Sequence, residues 1–335
     1  MEMEKTLETK YGTFKVSPYI NSDEDAVLEL WQLAFKNKID KRIWRWKFHN
    51  NPFGYEMMLC VDASNNPIVL YAGIPYPAQW GKKEIVMTQL IDNMSHPDYR
   101  HAVSGRKGLF LQTAEHFFSV FGNPKKNSIH YGFPGIKNFK LCKMFLNGKK
   151  ISQNNFYFEL SIENFKRNYY SIFKKVKIIN IFDIEFDKLW ELNKKDYPYS
   201  VIRNAKFLNW RFSQHPTNRY HSYGLFNAKN KLLGYIIFLL DGDLATIVDI
   251  FSKKNKNTTN HLIRKSIGKL IRRKIKKVRI WIPDHHFITM AIIDSGFKPQ
   301  NEPRGIVPQY RNLSENISLN NFNKFFYTMA DGDLF

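Results

Sequence analysis

Apolar and polar positions along the chain follow the same order twice. A β-branched, apolar run, IVLYAGI from Ile68 to Ile74, comes after the turn SNNP, and LLGYIIF from Leu232 to Phe238 comes after AKNK. A run of this kind behind an Asn-containing turn is typical of the second strand of a hairpin. Further along each half, apolar residues recur at helical spacing and are followed by a short strand that runs into proline.

A short motif marks the same point in both halves. WKFHNNP (residues 46–52) and WRFSQHP (residues 210–216) share Trp, a basic residue, Phe and Pro, and a tyrosine follows the proline by 19 residues in both. Later, Asp92 and Asp249 stand at matching points of an apolar strand. Self-similarity at a fixed offset predicts that one domain is present twice.

The repeat predicts an α+β protein of two domains, residues 1–158 and residues 159–335, joined near residues 158–176. Each half should contain a strand, two helices, three antiparallel strands, a loop, a helix, a strand, a helix and a final strand. A chain of 335 residues, 43% of them apolar, is long enough for two cores of ordinary size.

The chain is strongly basic, with 51 Lys and Arg against 30 Asp and Glu and a net charge of +21. This charge favours contact with an anion, which could be a nucleotide cofactor, nucleic acid, an acidic carrier or a membrane face. The base composition of a genome rich in Lys, Asn and Ile codons explains the charge equally well. A run of eight basic residues between Leu262 and Lys277 is the densest part, and it is either a binding surface or a solvated helix face.

Other features point to a cytoplasmic protein without metal. The longest apolar run, Leu232 to Leu240, is too short to span a membrane, and the acidic, polar start MEMEKTLETKYG does not resemble a secretory leader. Cys60 and Cys142 are too few for a disulfide framework or a zinc site. His285 and His286 are adjacent but have no cluster of carboxylates or cysteines beside them, so we expect no metal.

One region carries a resemblance to a known family. LIDNMSHPDYR (residues 90–100) and GRKGLF (residues 105–110) follow a strand and precede a helix. In this order of elements they resemble the GNAT superfamily of N-acetyltransferases, and the whole chain is similar to bacterial tandem-GNAT acetyltransferases. The resemblance implies two tandem GNAT-like domains, each a mixed, mostly antiparallel sheet flanked by helices.

The resemblance also implies acetyl-CoA, or another short acyl-CoA, as co-substrate. A helix N-terminus with glycine nearby offers unpaired N–H groups and a partial positive charge to a pyrophosphate. Gly105 and Phe110 depart from the family pattern, and Arg106 and Lys107 could supply positive charge in compensation. The cofactor-binding residues implied are Asn93, Met94, Gly105, Arg106, Lys107, Gly108, Leu109 and Phe110. Since KKNKNTTNHLIR in the second half contains no glycine, we expect only the first domain to bind acyl-CoA and the second to be degenerate.

Candidate catalytic residues follow from the same resemblance. Backbone N–H groups near Asn93 and Met94 would hold the thioester carbonyl, and Asp92 would take the proton of the amine. Alternatively, Asp92 and Asp249 share a structural role in the two copies. The place of the family's tyrosine acid is occupied by Met144, so Tyr131 or Tyr99 would substitute, unless both are ordinary packed aromatic residues.

The tail FYTMADGDLF offers Asp331 and Asp333, which would bind a cationic acceptor amine unless the C-terminus is frayed and solvated. We therefore expect an N-acyltransferase that acts on a small primary amine. A Fem-type transferase that uses aminoacyl-tRNA is one alternative, which the basic run suits. A non-catalytic GNAT-fold binding protein is another. The acceptor, the acyl chain length and the oligomeric state are left open.

Overall fold

A computed structural model of the chain describes residues 2–100, 107–122, 127–151, 156–165, 174–313 and 319–333. The first half contains seven strands and four helices within these ranges. They are, in chain order, β1 (Lys5–Thr9), β2 (Gly12–Pro18), α1 (Glu24–Phe35), α2 (Lys41–Lys47), β3 (Glu56–Val61), β4 (Pro67–Trp80), β5 (Lys83–Ser95), α3 (Leu109–Phe121), β6 (Asn127–Gly132), α4 (Ile136–Phe145) and β7 (Lys149–Lys150).

The second half has the same order of helices and strands over its described residues, with two additions, β10 between its first two helices and β16 at its end. Its elements are β8 (Tyr157–Ser161), β9 (Lys175–Ile179), α5 (Ile184–Asn193), β10 (Tyr199–Val201), α6 (Ala205–Leu208), β11 (Tyr220–Phe226), β12 (Leu232–Asp241), β13 (Leu244–Ser252), α7 (Lys256–Leu270), β14 (Lys277–Trp281), α8 (Phe287–Asp294), β15 (Lys298–Pro299) and β16 (Gln309–Asn312). A π-helical turn, Asn209–Ser213, follows α6 and contains most of the second WRF motif.

The strands form two mixed sheets, which confirms the predicted fold class. The first has the order β1-β2-β3-β4-β5-β6-β16-β7, with β10 pairing with the end of β4, and the second has the order β15-β8-β14-β13-β12-β11-β9. In each sheet one central pair is parallel, β5 with β6 and β13 with β14. The described pairs among the other strands are antiparallel.

The chain folds into two compact units that are not continuous in sequence. The first comprises Met1–Pro77, Ile85–Lys150 and Val307–Leu319, and the second comprises Ala78–Glu84, Ile151–Ile306 and Asn320–Phe335. The predicted division between residues 158 and 159 follows chain order and therefore differs from these units. The difference arises because β16 pairs with β6 and β7 in the first sheet, whereas β8 pairs with β14 and β15 in the second.

The core of the first unit lies between α3 and the sheet. Ala114, Phe117 and Phe118 recur on one face of α3 and pack with Met58 and Tyr71 in one hydrophobic cluster. Helical spacing of this kind turns an apolar stripe toward the sheet. The cluster fixes α3 against the sheet: Leu90 of β5 packs against it, and Phe110 in the first turn of α3 makes an edge contact with Tyr71 of β4.

The core of the second unit uses α7 in the same way, but this helix is shorter at its C-terminal end than the sequence predicted. Leu262, Ile263 and Ile267 are fully buried. The helix begins at Lys256 and ends at Leu270, whereas the sequence predicted a helix that continued to Lys277. A 3-10 turn and the left-handed backbone of Lys274, with φ of 60°, separate it from β14. Over the described residues, no helix combines the length and apolar character needed to cross a bilayer.

A buried charge network connects the C-terminal tail to the second unit. Arg203 donates to both carboxylate oxygens of Asp331, at 2.9 and 2.5 Å, and its Nε lies 3.3 Å from Asp249. The hydroxyl groups of Thr328 and Tyr235 each donate to Asp249 at 2.8 Å. Because all of these side chains are buried, each charge depends on its partner for stabilisation.

We predict that Arg203→Met destabilises the second unit by about 3–5 kcal/mol, because it leaves two carboxylates buried without a cation. Urea unfolding of the full chain measures this loss. Arg219→Met, at an exposed arginine, is the control and should change the free energy of unfolding by less than about 0.5 kcal/mol. A loss for Arg203→Met no larger than that of the control would contradict the role of the network.

Candidate functional site

The parallel strands of the first sheet separate before they end. The partners of β5 and β6 run from Val86↔Asn127 to Gln89↔Tyr131, but β5 continues to Ser95. Among the described residues no parallel pair follows Gln89, so a gap opens between the C-terminal ends of these strands. Crevices at the carboxyl ends of neighbouring parallel strands are a preferred place for ligands in sheets.

The backbone of β5 is irregular within this gap. Asp92 has a φ of 52°, which is an uncommon conformation for a residue other than glycine. The side-chain oxygen of Asn93 accepts a hydrogen bond of 2.7 Å from the backbone N–H of Ala72 on β4. In a regular β-ladder this N–H would donate to a backbone carbonyl oxygen, whereas here it donates to a side chain. Irregularities of this type redirect neighbouring backbone groups and are common next to active sites.

A buried ion pair holds Asp92 in place. Lys47, the basic residue of the first WKF motif, donates to Asp92 Oδ2 at 2.8 Å, and the two side chains are only 10% and 5% exposed. The same ammonium lies 5.8 Å from the centre of the Trp31 ring. The Lys47 backbone is fixed as well, since Asn51 donates to its carbonyl oxygen at 3.1 Å. Lys47 belongs to the repeated WKF motif, but its role beside Asp92 was not predicted from the sequence.

The start of α3 completes this side of the gap. Gly108 is the N-cap residue and its helix has no side-chain cap, because glycine has none to offer. In the second unit, Asn255 caps α7 by accepting from the N–H of Thr258 at 2.9 Å. An uncapped helix start leaves backbone donors for another acceptor. The two copies therefore begin this helix differently, with glycine in the first and a capping asparagine in the second.

The predicted cofactor residues that the structure describes lie at two places, the end of β5 and the start of α3. Asn93 and Met94 follow Asp92 on β5, and Met94 is buried. Lys107 is exposed and Leu109 is buried, while Phe110 is half-buried and makes an edge contact with Tyr71. Gly105 and Arg106, which the sequence analysis assigned to the pyrophosphate loop, lie outside the described residues.

A pocket lies where the parallel strands separate. It has a volume of about 250 Å³, including space open to solvent, and its walls include Leu90 of β5 and Tyr131 of β6. The residue after the last parallel pair is Gly132, and a Cβ atom there would lie 3.1 Å from the carbonyl oxygen of Leu90. In the second sheet the corresponding residue is Trp281, which is fully buried. Glycine therefore stands in the first sheet at the position where the second has tryptophan.

The remaining predicted residues are placed as follows. Tyr131 is 1% exposed and makes an edge contact with Phe133, while Met144 on α4 is 68% exposed. Asp331 is buried in its ion pair with Arg203, which leaves its carboxylate no exposed oxygen for an acceptor amine. Asp333 is exposed. These positions do not bring the two tail carboxylates together.

The second copy keeps the strand carboxylate but surrounds it differently. Asp249 is fully buried and accepts hydrogen bonds from Tyr235 and Thr328. Arg211, which stands where Lys47 stands in the first motif, donates to the carbonyl oxygens of Ala330 and Gly332. The tail therefore encloses the second aspartate.

Comparison with solved structures identifies the fold of the chain. No family model matches the chain, and no curated protein matches it. A GCN5-related N-acetyltransferase from Anabaena variabilis ATCC 29413 has a TM-score of 0.66 and 14% identity, over 90% of this chain and 73% of that chain. A tandem GNAT protein from the clavulanic acid biosynthesis pathway has a TM-score of 0.58 and 11% identity, over 90% and 99%. Saccharomyces cerevisiae N-myristoyltransferase has a TM-score of 0.60 and 10% identity, over 92% and 84%.

These similarities, together with the two sheets, define the class of structure. The protein has the fold of the GCN5-related N-acetyltransferases, or GNAT fold. More particularly, it has the tandem form of that fold, as the resemblance in residues 90–110 predicted.

We predict that Lys47 and Asp92 are energetically coupled. Lys47→Met leaves a buried carboxylate without its cation and should lower the free energy of unfolding by about 3–5 kcal/mol. Adding Asp92→Asn to Lys47→Met should recover about half of the loss, and urea unfolding of both singles and the double variant gives the coupling. Arg42→Met, which removes an exposed ion pair from the same helix, is the matched control and should cost less than about 1 kcal/mol. Additive effects of the two substitutions would refute the coupling.

A second prediction concerns pH. Burial, assisted by nearby Arg311, lowers the pKa of His130 to about 3, whereas histidine in an unfolded chain titrates near pH 6.5. The unfolded state therefore binds a proton first, and stability that is complete above about pH 6.5 falls toward pH 3 by at most about 1.4 kcal/mol per pH unit from this residue. His130→Leu should make the fall between pH 7 and pH 5 shallower in urea unfolding. Parallel pH curves for both proteins would refute this assignment.

Proposed function

We propose that the first unit is an acyl-CoA-dependent N-acyltransferase site and that its acceptor is a small primary amine. The observation that carries the proposal is the gap between β5 and β6, with the left-handed Asp92 inside it and an uncapped helix start beside it. A pantetheine arm needs a slot between strands, a thioester carbonyl needs N–H donors, and a pyrophosphate needs a helix N-terminus. The early end of the parallel pairing, the irregular backbone at Asp92 and the uncapped start of α3 support this assignment to the first unit.

The proposed reaction transfers an acyl group between sulfur and nitrogen. The amine nitrogen attacks the thioester carbonyl carbon, a C–N bond forms, and the C–S bond breaks. Backbone N–H groups near Asn93 and Met94 would stabilise the negative charge that develops on the carbonyl oxygen. The proton that leaves the amine would pass to Asp92, directly or through water, and the thiolate would take up a proton as it departs.

Lys47 would orient this carboxylate. Its ammonium donates to Oδ2 of Asp92 at 2.8 Å and so fixes the direction of the carboxyl group. Tyr131, on the neighbouring strand, is the proposed proton donor for the thiolate. Met144, at the place of the usual tyrosine acid, has no proton to give. Gly105, Arg106 and Lys107 remain proposed for the pyrophosphate on sequence grounds alone. Asp333 remains the exposed tail candidate for the acceptor, and we expect a cytoplasmic location.

Calorimetry with acetyl-CoA tests the binding half of the proposal. We predict one site per chain, and Gly132→Val should weaken binding by about tenfold or more because the new side chain fills the gap, with Gly132→Ala intermediate. A thermal melt of each variant controls for folding. Unchanged affinity in the valine variant would place the cofactor elsewhere.

A thiol-release assay across small amines tests the chemical half. Asp92→Asn should retain acetyl-CoA binding and lose turnover by about 100-fold or more, as expected for removal of a general base. Aminoacyl-tRNA is the comparison ligand, since the exposed basic residues Lys269, Arg272 and Arg273 suit an anionic polymer. Binding of aminoacyl-tRNA without acetyl-CoA would favour the Fem-type alternative. Binding of acetyl-CoA without turnover on any amine would favour a binding protein.

A further inference from the structure

The second unit has a cluster of basic side chains on one face of α7. Thr258, His261 and Lys265 are three and four residues apart, so they lie on the same face of this helix. Lys174, directly before β9, lies against that face, because its ammonium donates to the Thr258 hydroxyl at 3.1 Å and Lys265 donates to its carbonyl oxygen at 2.7 Å. Together with Lys253, directly after β13, the basic residues Lys174, His261 and Lys265 form what we call the α7 cluster.

The α7 cluster lies at the end of the helix where cations are least favourable. The helix begins at Lys256, and the partial positive charge of a helix N-terminus repels an ammonium group nearby. Burial and the charge of Lys253 lower the pKa of Lys174. Burial, together with the charges of Lys265 and Lys174, lowers the pKa of His261 to about 4, so its imidazole is neutral near pH 7. A bound anion would relieve the repulsion among these groups.

The chain supplies no carboxylate to two of these lysines. Neither Lys174 nor Lys253 forms an ion pair within the ranges that the structure describes. Each of four other lysines of the second unit pairs with a carboxylate, namely Lys188, Lys194, Lys256 and Lys276. Residues 166–173, which precede Lys174 in the sequence, contain no Asp or Glu. The α7 cluster therefore carries an excess of positive charge.

Buried groups hold this cluster in a defined arrangement. Thr258 is 5% exposed, and its hydroxyl fixes the ammonium of Lys174. His261 is 3% exposed, and its Nε2 has no hydrogen-bond partner among the described residues. Lys253 is exposed, so a solute can reach the cluster from solvent. Because Asn255 already accepts from the N–H of Thr258, the donors available to a ligand here are side chains.

We propose that the α7 cluster binds a small phosphate dianion, either free or as a monoester. A phosphate group carries about −1.5 to −2 charges near pH 7 and has three strong acceptor oxygens. It can therefore accept from Lys174, Lys253 and the N–H of His261 together, whereas a carboxylate would balance only one ammonium. Lysine binds phosphate as a point charge, which does not require the paired geometry that arginine offers. This site belongs to the second unit, and it does not depend on acyl-CoA binding to the first.

Calorimetry on the full-length protein tests the proposal. Inorganic phosphate and glycerol 3-phosphate are titrated in a phosphate-free buffer, with sodium chloride keeping the ionic strength constant. Lys174→Met should weaken binding about tenfold or more, which is the effect of one charge-assisted hydrogen bond, and Lys174→Arg should retain part of the affinity. Lys269→Met removes the same charge from an exposed lysine at the other end of α7 and should change the affinity less than about twofold. The tighter of the two ligands shows whether the site prefers the free ion or the ester.

Three results would overturn the proposal. The first is that neither phosphate binds the unaltered protein, including the case in which only a single-stranded oligonucleotide binds. The second is an equal loss of phosphate affinity in Lys174→Met and Lys269→Met, which would assign the binding to net charge. Where Lys174→Met does not fold, Lys253→Met at an exposed position should weaken binding at least about threefold, and unchanged affinity there is the third.

The proposed function is tested separately on the same proteins. Acetyl-CoA should bind Lys174→Met as tightly as it binds the unaltered protein. Failure of acetyl-CoA to bind either protein, while phosphate binding still depends on Lys174, overturns the acyltransferase proposal and supports the phosphate site.

Discussion

A left-handed residue in the middle of a strand needs something to hold it, and in the first unit this is the ion pair between Lys47 and Asp92. The φ of 52° at Asp92 costs on the order of 1–2 kcal/mol relative to ordinary strand backbone. A buried ammonium at 2.8 Å fixes the carboxylate, and the side chain of Asn93 serves the neighbouring N–H of Ala72. The irregular backbone and the gap beyond Gln89 both occur where these contacts hold β5 away from a regular ladder. Each feature of the candidate site is arranged around this point.

The two copies show that the fold alone does not make a site. Both sheets contain a parallel pair that stops early, and both have an aspartate just beyond it. In the second copy the gap is bordered by Trp281, the helix is capped by Asn255, and the aspartate is bonded to Arg203 and Thr328. The second unit therefore has tryptophan where the first has glycine, a capped helix where the first has none, and an aspartate bonded to the tail where the first pairs its aspartate with Lys47.

The structural features that could be predicted from the sequence are those that depend on residues close together in the chain. Periodicity and turns gave the order of elements, because each of these signals lies within a short stretch of the chain. Contacts between distant residues were not readable. Lys47 and Asp92 are separated by 45 positions, and Arg203 and Asp331 by 128, so neither pair follows from spacing. Asp331, the tail carboxylate that was predicted to bind the substrate, is instead buried against Arg203.

Because β16 joins the first sheet, residues of the candidate site come from both ends of the sequence. This strand comes from residues 309–312, yet it pairs with β6 and brings Gln309 and Arg311 to the wall of the pocket in the first unit. Residues 1–158 contain Asp92, Lys47 and the start of α3, but they lack the only cation that lines the pocket within the described part of the chain. A fragment of those residues would also expose the edge of β6, whose N–H and C=O groups β16 now pairs. The repeat that is so plain in the sequence is consequently not a repeat of independent parts, because the first unit is completed only after nearly the whole chain has been made.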